Sequence, residues 1–587
     1  MAKRSSMATI DRSCWWILCV LVAVASAAAD DSIDPRLAAY LDACDAKYSA
    51  EHQMLGRPFS SPGYHSTVAA GTWTHPTRQS FDYAAALLAR NASGDADRAA
   101  QVIRKLLTLQ DTDPASHTYG IWPWVMEEPL AKMSPPDWNW ADFCGARIAE
   151  MLVDDRAKLP EDLVAEMRSS LGHAARAIRK RNVQPTYTNI AIMGGGVCAA
   201  AGELLADAEM LDYGRRRLQG VVEHTAHDGS FNEFNSPTYT LVALWECERT
   251  LHLVADPATR EAAESLRRTA WEIIAESFHP GTQQWAGPHS RAYGDRLSSS
   301  TVRFLADQTG AEIRPHPSML RDAGADSYDP LPHLPCPAEL APRFRALPSD
   351  PLEIRRTFQR GEKPADTILG TTWHTTDACL GSVNRSMLWT QRRALIGYWR
   401  TDDDPAVVFR LRFLHDDRDF TSIGAATAQQ GGRALSAFYS LQNHGDWHPG
   451  LDRPKDGVFR AADFRVRYEL SGKGAAAESL GEGRFALKAG NRRAVIHAPP
   501  GRFAGENVVW QLGQDRDRVF LDGICYHGEE KAFDFSKPLD VVLAAGVELL
   551  SADDPPSKAM PEVTPSEPGR VKASWRPAER LDLSVAP

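Results

Sequence analysis

The chain has 587 residues, of which 43% are hydrophobic and 24% are charged, and this composition is typical of a folded protein rather than a disordered one. The length excludes a single small module and allows two large domains. The formal net charge of −10 argues against a nucleic-acid partner, because neutralising phosphates requires a basic surface.

A secretory signal peptide is predicted at the start of the chain. Basic residues precede an apolar run from Trp15 to Ala29, and small residues at the end of that run offer cleavage sites. No later run approaches the roughly 20 apolar residues that a membrane span needs. We therefore expect residues 1–29 to be removed and the remainder to be secreted or periplasmic, without a membrane partner.

Apolar residues recur at helical spacing from about residue 34 to 310. Val164, Met167 and Leu171 lie on one stripe of an amphipathic helix that starts after Pro160. The same spacing predicts eight more helices, over Arg36–Tyr48, Phe81–Arg90, Asp95–Leu109, Trp140–Val153, Asn189–Leu205, Glu209–Thr225, Thr238–Val254 and Pro257–Phe278. Short connections and the lack of a solenoid repeat motif favour a closed array of antiparallel helical hairpins.

The second half of the chain has the pattern of β-structure. Prolines that cannot be accommodated in a helix or a central strand stand at positions 315, 317, 330, 332, 335, 337, 342, 348 and 351. Beyond them Val407, Phe409 and Leu411 alternate with other residues at the period of a strand. We predict a helical domain over 30–312, a Pro-rich connector over 313–365 and an antiparallel β domain over 366–587.

The densest group of candidate catalytic residues lies between two predicted helices. Asp-Gly-Ser-Phe at 228–231 ends one helix, and Tyr239 and Thr240 begin the next. This spacing resembles the chondroitin AC and hyaluronate lyase family, which has Asp-Gly-Ser-Phe, then a catalytic His, then a catalytic Tyr followed by Thr. The family's His position is Phe234 here. The resemblance implies an incomplete α/α toroid followed by an antiparallel β-sandwich domain.

Three further stretches are similar to that family. Trp138-Asn139-Trp140 looks like the Asn-Trp-Trp-Asp stretch that lines its sugar cleft, and Asn189 stands where the family has its carboxylate-binding Asn. Arg291 is similar to the Arg of a Ser-Arg pair that contacts substrate. The resemblance implies a polysaccharide lyase that cleaves a uronic-acid-containing polysaccharide or oligosaccharide by β-elimination.

The chemistry of β-elimination gives these residue types a purpose. The C5 proton of a uronate leaves only if the negative charge of the adjacent carboxylate is neutralised, which is the role predicted for Asn189 and Arg291. Tyr239 is predicted to act as base and then as acid toward the C4 oxygen, which requires its pKa to be lowered by neighbouring positive charge. Glu233 and Asn235 lie in the same interval and are predicted to bind substrate.

The histidine that is missing at Phe234 could come from elsewhere. Related toroid lyases of the heparinase type take a His from the β domain, which makes His444 and His448 candidates for a catalytic and a substrate-binding residue. Imidazole is suited to proton transfer near neutral pH. We expect the loop bearing His444 and His448 to close the cleft, and His289, beside Arg291, is the competing catalytic candidate.

The same loop could instead bind a metal. His444, Asp446 and His448 point the same way on an extended chain, but three ligands this close in sequence rarely suffice. We expect neither a metal nor a cofactor.

Two other functional classes fit parts of the sequence. A toroid glycoside hydrolase would need a pair of carboxylic acids, and Glu233 with Asp142 or Asp228 could supply it. A noncatalytic glycan-binding protein would use aromatic platforms, for which the candidates are Trp138, Trp140 and Trp447.

Overall fold

The computed structural model describes residues 34–60, 65–322, 328–442, 444–567, 570–579 and 581–586. The predicted signal peptide, residues 1–29, lies outside the described residues, so its removal stays a prediction.

The described residues contain ten α-helices, and all nine helices that the apolar spacing predicts are present. They are α1 Pro35–Asp45, α2 Thr77–Arg90, α3 Asp95–Leu107, α4 Asn139–Asp154, α5 Glu161–Arg181, α6 Thr188–Leu205, α7 Ala208–Asp228, α8 Tyr239–Leu253, α9 Pro257–Ser277 and α10 Ser299–Thr309. Helix α10 is not among the predicted helices. The predicted stripe of α5 is buried, and the helix ends where Asn182 takes a left-handed conformation.

Consecutive helices pack as pairs. The consecutive pairs are α2 with α3, α4 with α5, α6 with α7 and α8 with α9, and the helices α2, α4, α6 and α8 also contact one another in that order. These contacts confirm an array of helical hairpins, whereas its curvature into an incomplete toroid stays a prediction.

Helix α6 lies at the centre of this array and carries Asn189 near its start. It is long and apolar enough to cross a membrane, but 83% of it is buried inside the protein, as in the core helix of a globular domain. Gly202 and Gly214 let α6 and α7 approach closely, since a Cβ on Gly202 would lie 2.4 Å from the backbone nitrogen of Leu211. This packing holds α6 closely against α7.

Most of the second half of the chain is β-structure. The strands in chain order are β1 Tyr48–Ser49, β2 Met54–Leu55, β3 Arg57–Pro58, β4 Trp73–Thr74, β5 Phe278–His279, β6 Gln284–Trp285, β7 Leu352–Gln359, β8 Ile368–His374, β9 Ala378–Val383, β10 Arg385–Met387, β11 Leu395–Trp399, β12 Val407–His415, β13 Arg418–Asp419, β14 Ile423–Gln430, β15 Arg433–Ser440, β16 Val458–Ser471, β17 Ala476–Gly481, β18 Arg484–Ala489, β19 Arg492–His497, β20 Arg502–Phe503, β21 Glu506–Asn507, β22 Val509–Asp515, β23 Arg518–Asp534, β24 Val541–Val542, β25 Ala544–Ser551, β26 Glu562–Glu567, β27 Arg570–Ala578 and β28 Leu581–Val585.

Two large antiparallel sheets share one core. One sheet has seven strands in the order β10-β14-β15-β25-β19-β18-β17, and the other has nine, in the order β22-β23-β16-β12-β11-β9-β8-β7 with β13 paired to β12. Phe409 and Phe413 of β12 belong to the same buried apolar cluster as Phe438 of β15. The alternation predicted for β12 is confirmed, because Arg410 and Arg412 project to the opposite face and bond to Glu469.

The strand β7 lies inside the segment that is predicted to be a connector. Leu352–Gln359 follows the last of the nine prolines and pairs with β8 at an edge of the larger sheet. Its side chains also reach the helical half, since Arg356 Nε donates to the carbonyl of Gly229 at 3.0 Å. The end of the connector could not be predicted, because an edge strand with alternate exposed charges resembles a loop in sequence.

The larger sheet packs against the segment that follows α9. Thr372 Oγ1 donates to the carbonyl of Gly287 at 2.8 Å, and the ring of His279 bonds to the carbonyl of Thr375 at 2.7 Å. Gly381 is needed at this contact, because a Cβ there would lie 1.7 Å from the oxygen of Gly287. The two halves are therefore held in one arrangement beside residues 287–296.

Two buried histidines at this junction should make the protein sensitive to acid. His374 is fully buried, neither ring nitrogen has a hydrogen-bond partner among the described residues, and its ring lies 5.5 Å from that of His279. Burial lowers the pKa of His374 to about 3 and that of His279 to about 4. Unfolding exposes both groups to protonation, so the free energy of unfolding should fall as the pH drops below about 6.5.

The variant His374→Phe should reduce this sensitivity. In the wild-type protein the free energy of unfolding, measured with urea, should decrease between pH 7.5 and pH 5. In His374→Phe this decrease should be smaller by about 2 kcal/mol, because one proton-binding group of the unfolded chain is removed. His527→Phe, which replaces an exposed imidazole, is the matched control. If the free energy of unfolding of His374→Phe depended on pH as in the wild-type protein, His374 would not be a source of the acid sensitivity.

Candidate active site

The loop between α7 and α8 holds Tyr239 in place. Helix α7 ends because Gly229 takes a φ of +88°, and the hydroxyl of Ser236 accepts a hydrogen bond from the amide of Tyr239 at 2.9 Å. The Ser236 hydroxyl donates in turn to the carbonyl of Arg291 at 2.6 Å. Tyr239 and Arg291 are therefore fixed to each other through the backbone as well as through their side chains.

Asn235 is part of this scaffold. Its side-chain nitrogen Nδ2 donates to the carbonyls of Ala286 and Pro288 at 2.9 and 2.8 Å. Its side-chain oxygen Oδ1 accepts from the indole of Trp285 at 2.5 Å. The side chain is buried and its groups are occupied inside the protein. These bonds hold the segment that carries Arg291, and a role of Asn235 in substrate binding stays a prediction.

Four of the predicted site residues form a continuous group. Arg291 Nη2 donates to the hydroxyl of Tyr239 at 3.1 Å, and Arg291 Nη1 lies 3.5 Å from Glu233 Oε1. The other carboxylate oxygen of Glu233 lies 3.5 Å from the backbone nitrogen of Asn189. The side chain of Asn189 is 1% exposed, and its Oδ1 has no hydrogen-bond partner among the described residues. The structure thus brings Tyr239, Arg291, Glu233 and Asn189 together.

The β half contributes to this group through a turn that the sequence analysis missed. The amide of Arg392 donates to the carbonyl of Trp389 at 2.7 Å, which closes the turn. Gln391 Oε1 accepts from Arg291 Nε at 2.5 Å, and the guanidinium of Arg291 lies 5.0 Å from the ring centroid of Trp389. Since Gln391 is 100 residues away from Arg291 in the chain, no local pattern could have indicated the contact.

A second tyrosine completes the group. The hydroxyls of Tyr239 and Tyr293 lie 2.7 Å apart, and 62% of Tyr293 is exposed. This bond connects the hydroxyl of the half-buried Tyr239 to an exposed side chain. A Tyr two residues after the predicted Arg was a signal available in the sequence.

Burial is the main influence on the pKa values of Tyr239 and Glu233. The pKa of Tyr239 is raised, because burial outweighs the opposing effect of Arg291. The expectation of a lowered pKa is therefore wrong for the substrate-free protein, in which Tyr239 keeps its proton. Burial also raises the pKa of Glu233, again against the effect of Arg291.

The three candidate histidines, His289, His444 and His448, have separate surroundings. His289 is buried and its Nδ1 bonds to the carbonyl of Asn235 at 2.8 Å, and burial lowers its pKa to about 4. The ring of His448 packs against Trp389, with centroids 5.3 Å apart. Nδ1 of His444 is buried without a hydrogen-bond partner among the described residues. The contacts within the described part of the chain bring none of the three rings against Tyr239.

The position of the missing histidine is occupied by a hydrophobic contact. Phe234 stacks on Phe358 with ring centroids 4.2 Å apart. The guanidinium of Arg392 lies on this pair, 5.7 Å from the centroid of Phe234. The β half therefore places an arginine against the ring that stands at the position of the missing histidine.

The predicted sugar platform adjoins the start of α6. Asn139 donates to the hydroxyl of Tyr187 at 3.1 Å, and Tyr187 lies two residues before Asn189. Trp140 stacks on Trp124 with centroids 5.3 Å apart. Trp138 contacts the ring of His117 edge to face at 5.1 Å. All three predicted residues, Trp138, Asn139 and Trp140, are partly exposed.

The carboxylates required by a hydrolase do not form an open pair. Asp142 is 2% exposed, its pKa is raised to about 7 by burial, and its nearest charged partner is Arg181 at 4.0 Å. Asp228 is also buried and bonds to His227 at 2.8 Å. Neither carboxylate faces a cleft opposite Glu233.

The loop proposed as a metal site uses its side chains internally. Asp446 Oδ1 bonds to the ring of His415 at 2.8 Å. The carboxylate of Asp452 accepts from the amide of Trp447 at 2.8 Å. Within the described ranges, no three His, Cys, Asp or Glu side chains are arranged to hold a metal ion.

Comparisons with known proteins give partial matches. A family model described as a domain of unknown function, DUF8769, matches residues 53–308. A stretch of 110 residues is 33% identical to the NAD-capped RNA hydrolase NudC of Pectobacterium atrosepticum, and likewise to that of Pectobacterium carotovorum subsp. carotovorum. Each match covers 17% of this chain, and the chain spans 38% of the length of these curated relatives.

Two solved structures align with nearly the whole chain at low identity. The crystal structure of heparinase III is 11% identical, with 95% of this chain and 92% of that chain covered and a TM-score of 0.42. Heparan sulfate lyase HepC from Pedobacter heparinus is 9% identical, with 94% and 93% covered and a TM-score of 0.30. The matched family model includes Asn189, Glu233, Tyr239 and Arg291, whereas the contributing turn of the β half lies outside it.

Proposed function

We propose that the protein is an exported polysaccharide lyase that cleaves a uronic-acid-containing glycan by β-elimination. The observation that carries the proposal is the bond from Arg291 to the hydroxyl of Tyr239, beside Glu233 and Asn189 and at the junction of the two halves. A phenol, a guanidinium and a side-chain amide that can donate a hydrogen bond are the groups that this reaction needs.

In the proposed reaction, Asn189 and Arg291 meet the uronate carboxylate and stabilise the charge that develops on it. Tyr239 as phenolate takes the C5 proton. A double bond forms between C4 and C5, the C4–O bond breaks, and Tyr239 returns a proton to the departing oxygen. The bond to the exposed Tyr293 offers the Tyr239 proton a route to solvent before the reaction.

The reaction product tests the proposal. We expect incubation with a panel of uronate polymers to produce the ultraviolet absorbance of a 4,5-unsaturated uronate. A hydrolase would release reducing ends without that absorbance, and a binding protein would release neither. Buried Asp142 and Asp228 argue against the hydrolase.

The pH dependence of turnover tests the role of Tyr239. Because its pKa is raised above 10, the phenolate fraction increases with pH throughout the neutral range, and kcat should rise by about tenfold per unit from pH 7 to pH 9. A reaction that needs protonated Glu233 as its acid would instead slow down. A flat or falling profile would contradict Tyr239 as the base.

A further inference from the structure

Arg392 is a charged residue of the candidate active site that forms no salt bridge with any of the described residues, although Glu233 is close enough to act on its charge. Its Nε is inaccessible to water and without a hydrogen-bond partner among the described residues, and its guanidinium lies 5.7 Å from the ring centroid of Phe234. Burial and the charge of Arg291 lower its pKa to about 10, with Glu233 as the only group that opposes them. Arg392 as a whole is only half-buried, but withdrawing part of a guanidinium from water without a salt bridge costs free energy.

The backbone of Arg392 is held rigidly. The residue before it, Gln391, accepts a hydrogen bond at its carbonyl from the backbone amide of Ala292 at 2.8 Å. The residue after it, Arg393, exchanges two backbone hydrogen bonds with His289, at 3.1 and 3.0 Å. The neighbouring Arg393 is paired with Asp295. The unpaired guanidinium is therefore positioned by the fold.

The charges around Arg392 do not balance. Arg291 and Arg392 supply two positive charges, and Glu233, which lies 3.5 Å from Arg291, supplies one negative charge. A structural role would be served as well by a neutral side chain over Phe234. An excess cation at the site fits a ligand that brings its own anion.

We propose that Arg392 binds a second anionic group of the substrate, a carboxylate or a sulfate on the sugar next to the uronate that Asn189 and Arg291 hold. This inference rests on the proposed lyase function and assigns the β half a role in substrate specificity. Arg392 forms a bidentate hydrogen bond to that group.

Equilibrium binding tests this role without turnover. The Tyr239→Phe protein is titrated calorimetrically with three uronate polymers, whose alternate sugars are sulfated, carboxylated or neutral. Adding Arg392→Gln should raise Kd for the polymer carrying the recognised anion by about tenfold to a hundredfold and leave the neutral polymer within about threefold. Whichever charged polymer is affected identifies the anion. Arg400→Gln, which removes an exposed arginine of the same half, is the matched control.

Thermal unfolding separates binding from structure. Without ligand, Arg392→Gln should unfold at the same temperature as the parent or higher, because a half-buried cation without a salt bridge among the described residues is removed. A clear drop in Tm, or equal affinity of both proteins for all three polymers, overturns the role of Arg392. Loss of binding without any unsaturated product from the wild-type protein would overturn the lyase function alone.

Discussion

Tyr239→Phe should lower kcat by about a thousandfold while leaving the fold intact. The hydroxyl is the group proposed to move both protons, and general acid-base groups of this kind contribute about 10²–10⁴-fold. Its bonds inside the protein go to Tyr293 and Arg291 and do not link buried core elements. The measurement is the rate of unsaturated product under saturating substrate, with circular dichroism to check the fold.

Tyr293→Phe is the control for this prediction. It removes the partner hydroxyl at 2.7 Å from a residue that is 62% exposed, so activity should stay within about tenfold of the wild-type value. If Tyr239→Phe kept near-wild-type turnover, or if Tyr293→Phe lost more activity than Tyr239→Phe, proton transfer would have to be assigned elsewhere.

Asn189→Ala and Arg291→Lys should each lower kcat by about 10²–10³-fold with little change in KM. The charge that these side chains meet grows in the transition state, so their contribution is larger there than in the bound substrate. Lysine keeps the charge of Arg291 but cannot reach Gln391, Tyr239 and Glu233 at once, as the guanidinium does.

Stability and a neighbouring residue provide the controls. Because Asn189 Oδ1 has no hydrogen-bond partner among the described residues, Asn189→Ala should not destabilise the protein. Ser290→Ala, next to Arg291 and with a hydroxyl that is likewise unpartnered in that part of the chain, should stay active. An effect confined to KM in the two variants would assign them to substrate binding instead of catalysis.

The sequence by itself determined the local structure of this protein. The period of the apolar residues placed α5 and β12 correctly, because burial of one face imposes that period on any helix or strand. The spacing from Asp228 to Tyr239 likewise set a helix end, a loop and a helix start, which are local events. Tyr239 could therefore be proposed at the amino end of a helix without a structure.

Only the tertiary structure decided what surrounds Tyr239. Arg291 lies 52 residues away from it, and Gln391 lies another 100 residues on, so their meeting depends on how the larger sheet docks on residues 287–296. The same docking stacks Phe358 on Phe234, which stands at the position of the missing histidine, and brings Arg392 against Phe234. Burial also set the direction of the pKa shift of Tyr239. The degree of burial of a side chain depends on the folded protein and could not be predicted from the sequence.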